Sequence, residues 1–378
     1  MIECQRHLFD IPEEVSYFNC GYMSPLLKAS TEAGQKALLR KSNPWELTPK
    51  DFFTDSDRFR ELAAELINSA PQDIAIIPSA SYGLAIAAAN IPLTRGDEIL
   101  VLEDQFPSNI YCWQRAAKES GATIITVARP EDRNWTQAVQ KHITPRTAVA
   151  ALPHNHWADG GLINLIQVRQ QLDQSDAKLV LDVTQSLGAM PLDVQKVRPD
   201  FMAVAAYKWL LGPYSVGFMY AAPDFQNGIP LEENWLNRAG SEDFAGLVNY
   251  QEDYQPGAVR YDMGERANFA QLPIMIAALE QLLDWGTDNI QATLRARNQA
   301  LANELIDIDL TSVPTEYRAG HFLGLEKEGG FPADILSRLA DEKIFLSQRG
   351  DSLRITPHLF NSDQDFDRLI SSLKQHLK

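Results

Sequence analysis

Apolar residues recur at helical spacing over 57–69, where Phe59, Leu62, Ala63, Leu66 and Ile67 form one stripe. The continuous apolar run Ile74–Ala75–Ile76–Ile77 follows, and then a predicted helix over 81–90. Strand-like runs recur at 98–102, 123–127, 148–152 and 178–181, separated by helix-like stretches at 108–120, 134–142 and 162–174. A further apolar run starts at Phe201. Runs that are apolar on both faces, alternating with helices, predict a mostly parallel sheet covered on both sides. Residues 224–260 break this rhythm: they are rich in Asn, Glu, Asp and Gly and read as an irregular crossing segment. Helices are predicted over 269–285 and 287–306. Beyond about 310, short elements at 321–325, 333–340 and 353–356 and a helix from 362 predict a separate α+β lobe.

Length and charge narrow the picture. A chain of 378 residues exceeds one compact core and implies two domains, or one large domain with a smaller lobe. Hydrophobic content of 45% with 22% charged residues is that of a soluble globular protein. A net charge of −16 argues against nucleic acid and anionic membrane surfaces as partners, while leaving small anionic ligands open. No apolar run reaches the roughly 20 residues of a membrane span. The start, MIECQRHLFD, lacks an apolar signal core. Cys4, Cys20 and Cys112 show no metal-ligand spacing and fit a reduced, cytoplasmic setting.

Ligands of parallel sheets sit at the carboxyl ends of the strands, which directs attention to Ser79, Gln105–Phe106, His154–Trp157, Asp182–Gln185 and Tyr207–Lys208. Pro78–Ser79–Ala80–Ser81 ends a strand and opens a helix, so its free N–H groups and hydroxyls suit a phosphate; a plain N-cap serine is the simpler reading. No GxGxxG or GxxxxGK[ST] occurs, which argues against dinucleotides and nucleoside triphosphates. Phe106 stands where an aromatic can stack on a planar ring or simply fill the core. His154 and His156 lack partners at ligand spacing, so no metal site is expected. Asp182 ends the apolar run Leu179–Val180–Leu181, and Lys208 ends the run from Phe201, just before Gly212–Pro213. Singly, Asp182 could cap a helix and Lys208 could snorkel to the surface. Jointly they are what is needed to hold a pyridinium ring by its nitrogen and to bind its aldehyde, which points to pyridoxal phosphate (PLP). Arg354, in the alternating stretch 351–358, suits a carboxylate clamp or an ion pair with Asp351.

These residues resemble the class V aminotransferase family of PLP enzymes, which includes cysteine desulfurases, selenocysteine lyases, kynureninases and isopenicillin N epimerase. The most specific match is Asp182–Val183–Thr184–Gln185–Ser186–Leu187–Gly188, then Pro191–Leu192–Asp193–Val194, Asp200–Phe201, and Tyr207–Lys208 with Gly212–Pro213. The resemblance implies an α/β, aspartate-aminotransferase-like (type I) fold: a large PLP-binding domain over 18–262 with a seven-stranded-type sheet. The smaller domain would comprise residues 1–17 and 263–378. It implies an internal aldimine at Lys208, pairing of Asp182 with the ring nitrogen, and a hydrogen bond from Gln185 to the phenolic oxygen. Phe106 would stack on the ring, and Ala80, Ser81 and Tyr207 would contact the phosphate. Asn268 would reach the phosphate of the other subunit, making a homodimer with shared sites. Arg354 would bind the substrate's α-carboxylate, with Gly21 and Trp157 lining the substrate space.

Two departures from the family pattern matter. The loop 342–353 holds no cysteine, so persulfide chemistry on it is not expected, and Trp157 replaces a smaller or polar residue. The function implied is a PLP-dependent transformation of an α-amino acid, either transamination or loss of a Cβ substituent. A catalytically inactive binding or regulatory protein on the same fold is the alternative. A nicotinamide dehydrogenase fails for want of the glycine fingerprint.

Overall fold

The computed structural model describes residues 1–377, which begin with a two-residue strand β1 (Ser16–Tyr17) and helices α1 (Lys28–Lys41) and α2 (Asp51–Ile67). Seven strands then share one sheet: β2 (Ile74–Ile77), β3 (Glu98–Leu102), β4 (Thr123–Val127), β5 (Thr147–Pro153), β6 (Lys178–Asp182), β7 (Phe201–Ala205) and β8 (Gly217–Ala221). Their order is β2-β8-β7-β6-β5-β3-β4, and β8 alone runs against the other six. Between them lie α3 (Ala80–Asn90), α4 (Ser108–Ser120), α5 (Trp135–His142), α6 (Leu165–Leu172) and the single-turn α7 (Val194–Val197).

The continuous apolar runs explain this sheet. Every residue of β2, β3, β7 and β8 is buried, as expected of strands covered on both faces. Successive residues serve opposite layers: Ile74 and Ile76 enter one core, Ala75 and Ile77 the other. The first core gathers α2, α5 and α6, and the second is built with α3 and α4. The strands expected at 98–102 and 123–127 and the helix at 108–120 lie where the pattern places them.

After an irregular stretch of 3₁₀ turns come α8 (Gln271–Trp285), α9 (Thr287–Glu304), β9 (Leu310–Ser312), β10 (Leu323–Lys327), α10 (Ile335–Asp341), β11 (Ile344–Phe345), β12 (Ser347–Arg349), β13 (Ser352–Ile355) and α11 (Asp363–Leu377). Strands β12-β13-β10-β9 form an antiparallel sheet, and a third core holds Leu301, Leu323, Leu353, Leu369 and their neighbours. Helix α8, which the sequence division assigns to the small domain, packs through Leu272, Met275, Leu279 and Leu282 into the core under the large sheet. The stretch expected to alternate as a half-buried strand is buried throughout in β13, with Leu353 and Ile355 in the third core and Ser352 and Arg354 covered on the opposite face. No helix among the described residues is long and apolar enough to cross a membrane.

The start of the chain joins the two sheets. Strand β1 pairs in parallel with β11, Thr356 N–H donates to Phe18 O (2.9 Å), and Cys20 N–H donates to Thr356 O (3.0 Å). A buried ion cluster secures the irregular segment. Asp262 pairs with Arg60 from α2 and with Arg266 (2.8 Å), and its Oδ1 accepts from Ile76 N–H (2.7 Å). Removing one member of a buried charge cluster leaves the others uncompensated. Asp262→Ala therefore lowers unfolding stability by about 3–5 kcal/mol, measured by urea denaturation; a loss below about 1 kcal/mol would show that Asp262 is not needed to compensate the two guanidinium groups.

Candidate functional site

The carboxyl end of β6 carries Asp182, in register with Pro153 of β5 and Ala203 of β7. Lys208 does not end strand β7, as its apolar run suggested; it lies three residues beyond, in a turn. That turn is held from several sides. Ser24 N–H donates to Tyr207 O (2.9 Å), Ala206 N–H to Val216 O (2.9 Å), and Gly212 N–H to Ala206 O (3.0 Å). Gly188 has φ +100° and rests against the same turn, where a Cβ would fall 2.2 Å from Trp209 O. Only glycine permits the loops after β6 and β7 to nest this closely.

Between these loops lies a cavity of about 420 Å³, within the size range of small-molecule sites. Its lining includes Ala80, Ser81, Phe106, Trp157, Asp182, Gln185, Tyr207 and Lys208. An adjoining cavity of about 510 Å³ shares Phe106, Trp157, Gln185, Tyr207 and Lys208, and adds Gly21 and Arg354. Ten of the eleven expected site residues thus border one continuous region. Asn268 does not border it. It lies three residues before α8, where its Oδ1 accepts from Gln271 N–H (3.1 Å).

Charge within the cavity is poorly compensated. Asp182 is buried, receives a hydrogen bond from Thr184 N–H (3.0 Å), and has no ion pair among the described residues. Burial raises its pKa, opposed by the Thr184 bonds and by Lys208. Lys208 is buried too; its Nζ lies 5.3 Å from the Phe106 centroid and 5.5 Å from that of Tyr207, again without an ion pair. Desolvation brings its pKa down to about 8; Asp182 resists the fall, whereas Arg354 and Arg349 add to it. A carboxylate wanting a cation and an amine poised near neutrality therefore face one cavity.

The start of α3 supplies an anion cradle. Ser79 caps the helix, accepting from Tyr82 N–H (3.2 Å), and its hydroxyl contacts that of Ser81 (2.9 Å). The first helical N–H groups, at Ala80 and Ser81, have no intrahelical partners and border the cavity. Across it, Phe106 meets Trp157 edge-on at 5.4 Å, and Trp157 is steadied by its Nε1–H bond to Asp104 O (2.6 Å).

Gln185 is locked in one orientation. Trp209 Nε1–H donates to its Oε1 (3.2 Å), so its Nε2 faces the other way and donates to Gly21 O (2.9 Å). Behind it, His321 Nε2–H donates to Gln185 O (2.7 Å). His321 and His358 surround Trp209, at 4.4 and 6.2 Å between ring centroids, and the half-buried His154 lies near enough to His321 to affect its charge. Burial lowers the pKa values of His154 to about 4 and of His321 and His358 to about 3. Cys20 is likewise buried, and desolvation pushes its thiol up, away from a nucleophilic role.

Arg354 forms no pair with Asp351. Its Nε and one terminal nitrogen donate to Ser347 Oγ (3.1 and 2.8 Å), and the other terminal nitrogen donates to Trp157 O (2.9 Å). Burial lowers its pKa to about 9, leaving it charged at neutrality. Thr184, Tyr214, Ser215 and Arg349 also border these cavities and were not singled out from sequence. Thr184 lies inside the quoted Asp182–Gln185 stretch, where its spacing two residues after a buried carboxylate was the available signal. Ser215 has φ +66° just after Gly212–Pro213, a turn whose far side the apolar pattern does not describe.

The donor set fits PLP: a carboxylate for the ring nitrogen, an amine for the aldehyde, an aromatic face, and free N–H groups for the phosphate. Comparison with known proteins agrees. The model of the family "Aminotransferase class-V" matches residues 48–359. The chain is 24% identical over 341 residues to YcbU, an uncharacterized aminotransferase of Bacillus subtilis, covering 89% of this chain and 87% of that one. It is 23% identical over 356 residues to an isopenicillin N epimerase of Amycolatopsis lactamdurans, covering 84% and 83%. Its fold superposes with a TM-score of 0.88 on a mutant of C-DES with glycine covalently linked to the PLP cofactor, at 21% identity over 98% of this chain and 99% of that one.

The raised pKa of Asp182 has a testable cost. Between the unfolded carboxylate value near 4 and the higher folded value, the native state binds more protons, so stability falls as pH rises through that window. At neutral pH, above the unfolded value, that cost is present in the cofactor-free protein. Asp182→Asn should therefore stabilise that form by about 1–3 kcal/mol at pH 7, with the gain shrinking on acidification, as read by urea unfolding at both pH values. A variant no more stable than the parent at pH 7 would mean that the carboxylate is already compensated.

Proposed function

Because the chain belongs to the class V aminotransferase family, we propose that it is a PLP-dependent enzyme acting on an α-amino acid, with Lys208 as the residue that joins the cofactor. The observation that carries this reading is the placement of Asp182 and Lys208, both buried and unpaired, in one cavity beside the start of α3. Bound there, PLP supplies an electron sink for a bond breaking at the substrate's Cα.

Each protein group then has a defined task. Asp182 holds a proton on the ring nitrogen, and the ring's positive charge relieves the burial that raises the carboxylate's pKa. Gln185, fixed by Trp209, turns its Nε2 as a donor toward the phenolic oxygen. Phe106 would pack on the ring face, while Ala80 and Ser81 N–H, the Ser81 hydroxyl and Tyr207 would hold the phosphate. Asn268 extends the same role to the phosphate in a second subunit, which makes the working unit a homodimer. Arg354 binds the α-carboxylate in the adjoining cavity and so orients the Cα substituents. Lys208 would also be the general base that takes the Cα proton, a task suited to an amine with a pKa of about 8. Whether transfer of the amino group or loss of a Cβ substituent follows depends on the side-chain end of the cavity.

Borohydride reduction of the holoenzyme, followed by digestion and mass spectrometry, should place a pyridoxyl group on the peptide containing Lys208; a tag elsewhere, or none, removes the proposal. The pH dependence of attachment is a second check. The neutral amine is the nucleophile, so raising pH toward 8 increases its fraction. The rate at which apoenzyme takes up PLP should climb about tenfold per pH unit below 8 and level off above it, followed by absorbance in stopped flow. A flat profile from pH 6 to 9 would contradict the lowered pKa.

A further inference from the structure

The substrate-side cavity holds two guanidinium groups and no carboxylate. Arg349 and Arg354 lie on adjacent antiparallel strands, Arg349 opposite Ser352 and Arg354 opposite Ser347. Each guanidinium carbon stands 5.9 Å from the same ring, that of Trp157. Arg354 is the deeper of the two and uses its donors on Ser347 and Trp157. Arg349 is half-buried and makes one hydrogen bond, to the carbonyl of its neighbour Gln348 (2.7 Å), leaving most of its five N–H donors free. Neither arginine has an ion pair among the described residues.

Nearby arginines differ. Arg129 and Arg133 line the space behind Trp157, and both are neutralised: Arg129 by Asp159, Arg133 by Asp159 (3.7 Å) and Glu326 (2.7 Å). Asp104 and Asp351 border that space together with Arg349, yet neither comes within ion-pair distance of it. In a chain of net charge −16, acidic residues are plentiful, but none is spent on this pair. Two partly desolvated cations beside one indole repel each other, and an amino acid's single α-carboxylate compensates only one of them.

We propose that Arg349 binds a second anionic group, at the far end of the substrate's side chain, so that the enzyme prefers α-amino acids bearing a side-chain carboxylate or comparable oxyanion. This rests on the function proposed above and names its substrate class. Arg354 takes the α-carboxylate at depth, next to Gln185 and Lys208, and Arg349 takes the distal acid near the mouth, beside Tyr22 and Met23. The indole between them, held by its bond to Asp104 O, forms the wall along which the side chain lies.

The experiment uses the PLP-loaded enzyme and follows its visible absorbance as ligands are titrated in: L-aspartate, L-glutamate and L-2-aminoadipate, with L-asparagine, L-glutamine and L-alanine as uncharged counterparts. At least one acid should bind about tenfold or more tightly than its uncharged counterpart, the value of one charge-assisted contact. Arg349→Gln should abolish that preference while leaving the affinity for L-alanine within about twofold, and Arg349→Lys should keep part of it. Equal binding of acids and amides by the unaltered enzyme overturns the assignment. So does an Arg349→Gln enzyme that loses L-alanine and the acids by the same factor, since Arg349 would then share the α-carboxylate. Absence of any spectral response, L-alanine included, removes the amino-acid reading itself and this assignment with it.

Discussion

Two opposite charges share a buried cavity without touching, and most of the architecture around them serves to keep that separation. Left free, a desolvated carboxylate and ammonium would close into an ion pair and fill the space between them. Asp182 cannot move, because it is the last residue of a central strand, paired in register on both sides. Lys208 cannot move far, because its turn nests against Gly188 on one side and is bonded to Ser24 on the other. With both fixed, the cost of burial appears as two pKa values displaced toward neutrality. A cofactor that offers a cation to one and a carbonyl to the other relieves both.

The N-terminal segment extends this constraint to the second sheet. Phe18 and Cys20 bond to Thr356, two residues beyond Arg354, while Gly21 accepts from Gln185 and Ser24 donates to the Lys208 turn. Residues distant in sequence thus fix the depth of Arg354 relative to Lys208. Such a connection lets the two cavities act as one site with two ends.

Much of this is legible in the amino-acid sequence. Continuous apolar runs locate the strands at 98–102 and 123–127 and the 3.6-residue period locates the helix at 108–120, although only β3 of the two strands is buried throughout and β4 is a partly exposed edge strand. The carboxyl ends of those runs then gave Asp182, Phe106 and the start of α3. Helix α1 escaped notice because its buried positions are Ser30 and Gly34, and it approaches α8 through small residues: a Cβ at Gly34 would fall 2.7 Å from Ile274. Strand β8 was missed since its direction and partners depend on a turn after Lys208 that hydrophobicity does not encode. Arg349 was overlooked for a similar reason. It shares a cavity with Arg354 through the β12–β13 hairpin, and a one-dimensional reading offers no measure of what two arginines lack in common.

The imidazoles behind Gln185 give the site a further property. His154, His321 and His358 remain uncharged well below the pH at which an exposed histidine ionises. The wall that supports Gln185 therefore stays electrically silent during mild acidification. These three histidines are thus insulation rather than sensors of mild acid.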